Sequence, residues 1–140
     1  MPAYTMRQQV LSQHVDSTGI VPLPRYFEMA NALVERWFDD ALDWSFARMH
    51  GGDGLGLPIA QCQASFPSAS RLGDQLVWRL EVLRIGRSSM DLRLAASCGG
   101  DMRVEMTSTA VLADLGVIRA RQWPDDTRAR ATDYLVAKVA

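Results

Sequence analysis

Apolar residues recur along the chain with two different periods, and the change from one to the other divides it into elements. Tyr4 to Leu11 alternates, imperfectly, as a strand does. From Leu23 the spacing lengthens: Phe27, Ala30, Val34, Trp37, Phe38 and Ala41 return at three- and four-residue steps, and Tyr26, Met29 and Leu33 widen the stripe. Pro24 suits the first turn of a helix, because its φ is already helical and its missing N–H would have had no partner there. A long helix is therefore predicted to begin near Leu23. Glu28, Glu35 and Asp39 form its only clearly polar strip, so it is expected to be largely enclosed by a sheet wrapped around it.

The remainder reads mainly as strands. Between Pro58 and Phe66, Ala60, Cys62, Ala64 and Phe66 alternate with Gln61, Gln63 and Ser65. This pattern predicts a half-buried strand whose small apolar side chains let the helix approach closely. Leu76, Trp78, Leu80 and Val82 share one face of the next strand, with Arg79 and Glu81 on the other. After Gly86, the series Met90, Leu92, Leu94, Ala96 and Cys98 alternates with polar residues. Gly99-Gly100 then reads as a tight hairpin into a strand carrying Val104, Met106, Ala110 and Leu112 inward. A short helical piece over Asp43–Met49, a turn at Leu115-Gly116, a short strand over Val117–Ala120 and a charged helix from Asp125 or Asp126 to Tyr134 complete the prediction. The order predicts one α+β domain over residues 1–140, an antiparallel meander around a single long helix.

Composition narrows the function. With 140 residues the chain is long enough to bury about two-thirds of its unfolded surface in one core. Its 15 Lys and Arg against 16 Asp and Glu weigh against an extended nucleic-acid or anionic-membrane footprint. Neither a signal-like leader nor an apolar run of about 20 residues is present in the sequence, so no membrane partner and a cytoplasmic location are expected. Cys62 and Cys98 lack metal-ligand spacing or a neighbouring histidine and read as reduced, partly buried thiols. The glycine-rich Gly51–Gly56 segment has no Walker spacing and reads as a mobile connection rather than a phosphate cradle.

The stretch His14–Tyr26 concentrates the candidate chemistry. A helix N-terminus presents N–H groups without intrahelical acceptors at the positive end of the macrodipole. Of Pro22, Leu23 and Pro24, only Leu23 has such a donor, free to meet a carbonyl oxygen gaining negative charge. A turn at Gly19 would fold Asp16 back beside it. A carboxylate facing one polarising N–H suits hydrolysis of an activated ester, the acid attacking directly or activating water. The same Asp-Ser-Thr-Gly run is also an ordinary turn, in which the aspartate accepts backbone N–H bonds and the glycine supplies positive φ.

Asp16-x-x-Gly19-Ile20-Val21 followed by Pro24-x-Tyr26 resembles the signature of the 4-hydroxybenzoyl-CoA thioesterase branch of the hotdog-fold acyl-CoA thioesterases. Leu57–Phe66 resembles that branch's second strand, Gly73-Asp74 the following turn, and Arg84–Ser89 its third-to-fourth strand hairpin. The resemblance implies a hotdog fold and hydrolysis of an acyl- or aroyl-CoA thioester. It implies Asp16 as nucleophile or general base, Leu23 as backbone oxyanion donor, Gly19 at the turn, and Arg84, Arg87, Ser88 and Ser89 near the coenzyme A portion of the substrate. A solvated hairpin tip accounts for the same arginines without any ligand. Coenzyme A enters as part of the substrate, and no separate cofactor or metal is expected. A homodimer with edge-paired sheets and interfacial active sites is implied, with a dimer of dimers as the larger alternative. His14 stands where many relatives carry an acid, in reach of orienting Asp16 or of being a bystander. An acyl-thioester dehydratase and a non-catalytic acyl-CoA or acyl-carrier binding protein are the competing readings. The first wants a histidine base near the substrate, which the long helix lacks; the second needs a pocket but no Asp16.

Overall fold

The structure, a computed structural model, describes residues 3–136. Its elements are β1 (Tyr4–Gln9), α1 (Leu23–Asp40), α2 (Phe46–His50), β2 (Leu55–Gly56), β3 (Ile59–Ser65), β4 (Gln75–Ile85), β5 (Ser89–Cys98), β6 (Asp101–Val111), β7 (Ala113–Asp114), β8 (Arg119–Ala120) and α3 (Asp125–Thr132). The main sheet is antiparallel, in the order β1-β4-β5-β6-β3, and β2-β7-β8 form a small second sheet. The α+β expectation holds. The meander is confined to β4-β5-β6, because β3 crosses to the far edge and pairs with β6 alone, Gln63 opposite Thr107.

The core lies between α1 and the middle strands. Met29, Leu33, Val34, Trp37 and Phe38 of the helix join Trp78, Leu80, Leu92, Leu94 and Met106 of the sheet in one apolar cluster. Burial of these large side chains is the main term holding helix to sheet. Tyr4 of β1 donates to Asp40 at the far end of α1, and burial together with that carboxylate pushes its pKa up to about 12.

Three expectations change. First, α1 buries one face only: Phe27, assigned to the buried stripe, is 37% exposed, and Asn31, Ala32, Glu35 and Arg36 are open to solvent. Second, every residue of β3 is exposed, Ala60, Cys62 and Ala64 included. The alternation is real, but β3 is the edge strand, paired with β6 alone, and its apolar side stands open in the single chain. Cys62 is consequently an exposed free thiol, whereas Cys98 is partly buried. Third, Gly51–Gly56 is tied down: Asp53 accepts from the Trp44 indole at 2.8 Å, and Leu115 N–H donates to Gly54 at 3.0 Å. The last helix ends at Thr132, and Tyr134 and Val136 then bond Val82, extending the sheet edge beyond β1.

Candidate active site

Asp16 sits on the exposed loop between β1 and α1, and local hydrogen bonds set its carboxylate. Oδ1 accepts from Thr18 N–H at 2.9 Å, from the Thr18 hydroxyl and from Ile20 N–H at 3.4 Å. The loop closes on itself through Gly19 N–H to Asp16 O at 3.0 Å and Asp16 N–H to Ile20 O at 3.1 Å. Asp16 thus forms the Asx-type turn that its sequence allowed. That turn occupies Oδ1 and leaves Oδ2 without a partner among the described residues. Donation by Thr18, from hydroxyl and then backbone, holds the Asp16 carboxyl below its ordinary pKa, since bonds to the charged form favour it. The sequence reading missed Thr18, although an oxygen two residues after an aspartate in a turn is a recognisable signal.

A second loop fixes the first. Val21 N–H donates to Ser70 O at 3.0 Å and Leu72 N–H to Gly19 O at 3.1 Å, with an antiparallel bridge between Ile20 and Arg71. The Ser70–Asp74 loop is held in turn by Asp74, whose Oδ2 accepts from Arg71 N–H at 2.9 Å and from Arg103 at 2.6 Å. The Arg103 guanidinium holds the Asp74 carboxyl below its usual range. Gly73-Asp74, marked by its resemblance to a family turn, therefore buttresses the Asp16 loop.

Gly19 has φ +78° with nothing within 4 Å of an added Cβ. A side chain there meets no clash and carries only the backbone cost, about 1–2 kcal/mol for a left-handed L-residue. Gly19→Val should lower unfolding free energy by that amount in urea titration; an unchanged midpoint would show that the loop tolerates a different conformation.

Helix α1 starts at Leu23 as predicted, with Pro22 at the cap in extended conformation (φ −78°, ψ 160°). Among the described residues the Leu23 N–H meets no acceptor. Beside it lies an open cavity of about 340 Å³ lined by Ile20, Val21, Leu23, Tyr26, Phe66, Ser68 and Ala69. Tyr26 and Phe66 pack there with ring centroids 5.2 Å apart. This lining is largely apolar, as a site for an acyl or aromatic group must be. Asp16 is outside the lining in the single chain, its carboxylate open to solvent.

His14 is buried and accepts from Leu11 N–H through Nδ1 at 2.9 Å. It pins the 3-10 turn Ser12–His14 and makes no bond to Asp16. The Arg84–Ser89 hairpin is at the other end of the sheet: β4 runs from Gln75, beside the Asp16 loop, to Ile85, roughly 33 Å of strand. There Arg84 pairs with Asp91 at 3.1 Å, Arg87 is exposed, and the Ser88 and Ser89 carbonyls accept from Leu112 N–H and the Trp123 indole. Within one chain the structure brings Asp16, Gly19 and Leu23 onto one short segment, and leaves Arg84, Arg87, Ser88 and Ser89 apart from them.

One long helix laid across an antiparallel five-stranded sheet, with a carboxylate loop leading into the helix, defines a hotdog-fold protein. The Thioesterase-like superfamily matches residues 10–131, and the chain belongs to it. Solved structures agree on the fold. A 1,4-dihydroxy-2-naphthoyl-CoA thioesterase from Synechocystis superposes with TM-score 0.84 at 16% identity, over 94% of this chain and 97% of that one. A gentisyl-coenzyme A thioesterase gives 0.82 at 16% identity, over 91% and 98%. A Staphylococcus aureus protein in complex with CoA gives 0.85 at 14% identity, over 99% and 89%. No curated protein sequence matches the chain. Among the described residues, no helix is long and apolar enough to cross a membrane.

Proposed function

We propose that this protein hydrolyses an acyl- or aroyl-CoA thioester to the free acid and coenzyme A in the cavity beside Leu23. The observation that carries the reading is that one loop and the helix start it leads into carry two unsatisfied groups. Asp16 Oδ2 is left free by a turn that anchors Oδ1, and the Leu23 N–H has no acceptor at the rim of an apolar cavity. The thioester carbonyl oxygen takes the Leu23 N–H, and the acyl group lies against Tyr26 and Phe66. As general base, Asp16 removes a proton from water as its oxygen attacks the carbonyl carbon. The tetrahedral oxyanion collapses, the C–S bond breaks, and the proton passes from Asp16 to the thiolate. As nucleophile, Asp16 expels the thiolate itself to form a mixed anhydride, which water then cleaves.

A homodimer supports this site. The exposed β3 edge presents unpaired backbone groups beside exposed apolar side chains: Ile59 on β3, and Leu23 and Phe27 on α1. Such an edge pairs with another strand unless it is blunted. A closed two-fold pairing joins β3 to its own copy antiparallel, which sets the Ile59 end of one protomer against the Ser65 end of the other. The Arg84–Ser89 hairpin, remote from Asp16 in its own chain, then lies at the same end as the partner's Asp16 loop, about three strand spacings or 14 Å across the sheet from the partner's β3. Guanidinium groups there suit the phosphates of coenzyme A.

The test follows free thiol release from benzoyl-CoA, phenylacetyl-CoA and decanoyl-CoA. Release from at least one, abolished in Asp16→Asn, is expected. Binding without release would favour a non-catalytic carrier, and hydration of an enoyl-CoA without thiol release a dehydratase. Cys62→Lys, at the middle of β3, should convert the dimer to monomer by light scattering, because it sets like charges together at the axis; an unchanged dimer would place the interface elsewhere.

A further inference from the structure

We infer that the β7–β8 hairpin tip, Leu115–Ile118, forms the outer wall of the partner's acyl cavity and so selects its acyl group; this rests on the dimer and the acyl site proposed above. The tip is unlike a solvated turn. Leu115 is 45% exposed, Val117 68% and Ile118 75%. Ile118 has φ +51°, a conformation that free turns give to glycine or asparagine and that is costly for a β-branched residue. Strain combined with exposed apolar surface marks a segment shaped for a contact the single chain lacks.

The hairpin is also held firmly. Asp114 accepts from Gly116 N–H at 2.8 Å and from Arg121 at 3.2 Å. Leu115 N–H bonds Gly54 O, and the Leu115 side chain covers Gly56, where an added Cβ would stand 2.5 Å from its Cδ2. Gly56 thus gives Leu115 its place against the small β2-β7-β8 sheet.

Strand polarity supplies the location. Val111 N–H bonds Pro58 O at 3.0 Å, so β6 hands over to β7 right beside the start of β3. The tip therefore hangs at the Ile59 end of the free edge. The cavity lies at the other end, where Phe66, Ser68 and Ala69 follow Ser65. In one chain the two are separated by the length of β3, about 23 Å. Antiparallel pairing across a two-fold brings each tip to the end of the sheet that holds the other protomer's cavity, within two to three strand spacings of the partner's β3, about 10–14 Å. An exposed apolar tip then faces an open cavity with an apolar lining.

A first test needs no catalysis. In a Cys62→Ser, Cys98→Ser background, Val117→Cys and Ser68→Cys are made as separate proteins, co-assembled and treated with bismaleimidohexane. A covalent dimer from the mixture, with each variant alone remaining a single chain on a denaturing gel, is expected. A mixture that stays uncrosslinked while light scattering reports a dimer overturns the placement. The second test is functional. Val117→Asp/Ile118→Asp should lower kcat/KM for decanoyl-CoA at least about tenfold, the scale of spoiling an apolar pocket. A purified heterodimer of that variant with Asp16→Asn should regain about half of the wild-type rate, since its intact Asp16 faces the intact tip of the other chain. A heterodimer no faster than the tip variant overturns the role in trans. A monomeric wild type defeats the dimer and this inference together, whereas crosslinking without thiol release defeats only the hydrolytic reading.

Discussion

Asp16→Asn should cut thioester turnover at least about a hundredfold, the usual scale for losing a catalytic base or nucleophile, with the protein still folded and its unfolding midpoint in urea at most slightly lowered. The asparagine carbonyl oxygen still accepts the Thr18 and Ile20 N–H bonds that build the turn, so geometry survives and charge does not. Full turnover in the variant would remove Asp16 from the chemistry. The hydroxyl of Thr18 supplies a finer check. Its bond favours the charged carboxylate and is the leading cause that lowers the Asp16 pKa below the ordinary 3.8. The active ionised form is therefore present above that range and lost only as pH falls through the lowered value. Thr18→Val removes the hydroxyl bond but keeps the backbone one, and should shift the acid limb of the kcat profile to higher pH; an unmoved limb would assign it to another group. The same sign governs stability: the contribution from this depressed group is present above 3.8 and fades as pH falls through the folded value.

How much was legible in the sequence depended on whether a pattern reports local or distant partners. The start of α1 was readable because Pro24 constrains the chain whatever surrounds it, and β4, β5 and β6 were readable because both their neighbours are strands of the same sheet. The Asp16 loop was half readable. Asp-Ser-Thr-Gly specifies the turn from within four residues, but its anchoring to Ser70–Leu72 joins segments far apart in the chain, Gly19 to Leu72 and Val21 to Ser70, and leaves no periodicity to detect. In β3 the alternation of Ala60, Cys62 and Ala64 with Gln61 and Gln63 predicts one buried face. Alternation records that two faces differ, and not what covers the apolar one; here both faces are exposed in the single chain. The apolar Phe27 and Leu23 carry the same ambiguity. Residues that look like core yet stand exposed in the single chain gather along one edge, which is where the proposed second copy sits. Arg84–Ser89 shows the converse limit: the resemblance puts the hairpin among site residues, but in its own chain the length of a strand separates them.

Leu23→Pro should lower kcat by about a hundredfold to a thousandfold, the range for deleting one oxyanion-hole donor, while Leu23→Ala should have a much smaller effect. The comparison isolates one hydrogen. At the first helical position φ is already near the proline value, and the N–H has no acceptor to lose. Pro22 before it is extended, with ψ 160°, which is the conformation that a residue preceding proline must adopt. Proline is thus accommodated by the backbone on both sides, and urea titration should place the variant near wild type. The side chain is 53% exposed, so truncating it to alanine removes some cavity wall and keeps the donor. If the chemistry depends on polarising the thioester carbonyl, the proline variant loses rate and the alanine variant largely retains it. Equal losses in two folded variants would show that the Leu23 side chain, and not its amide, is what the reaction uses.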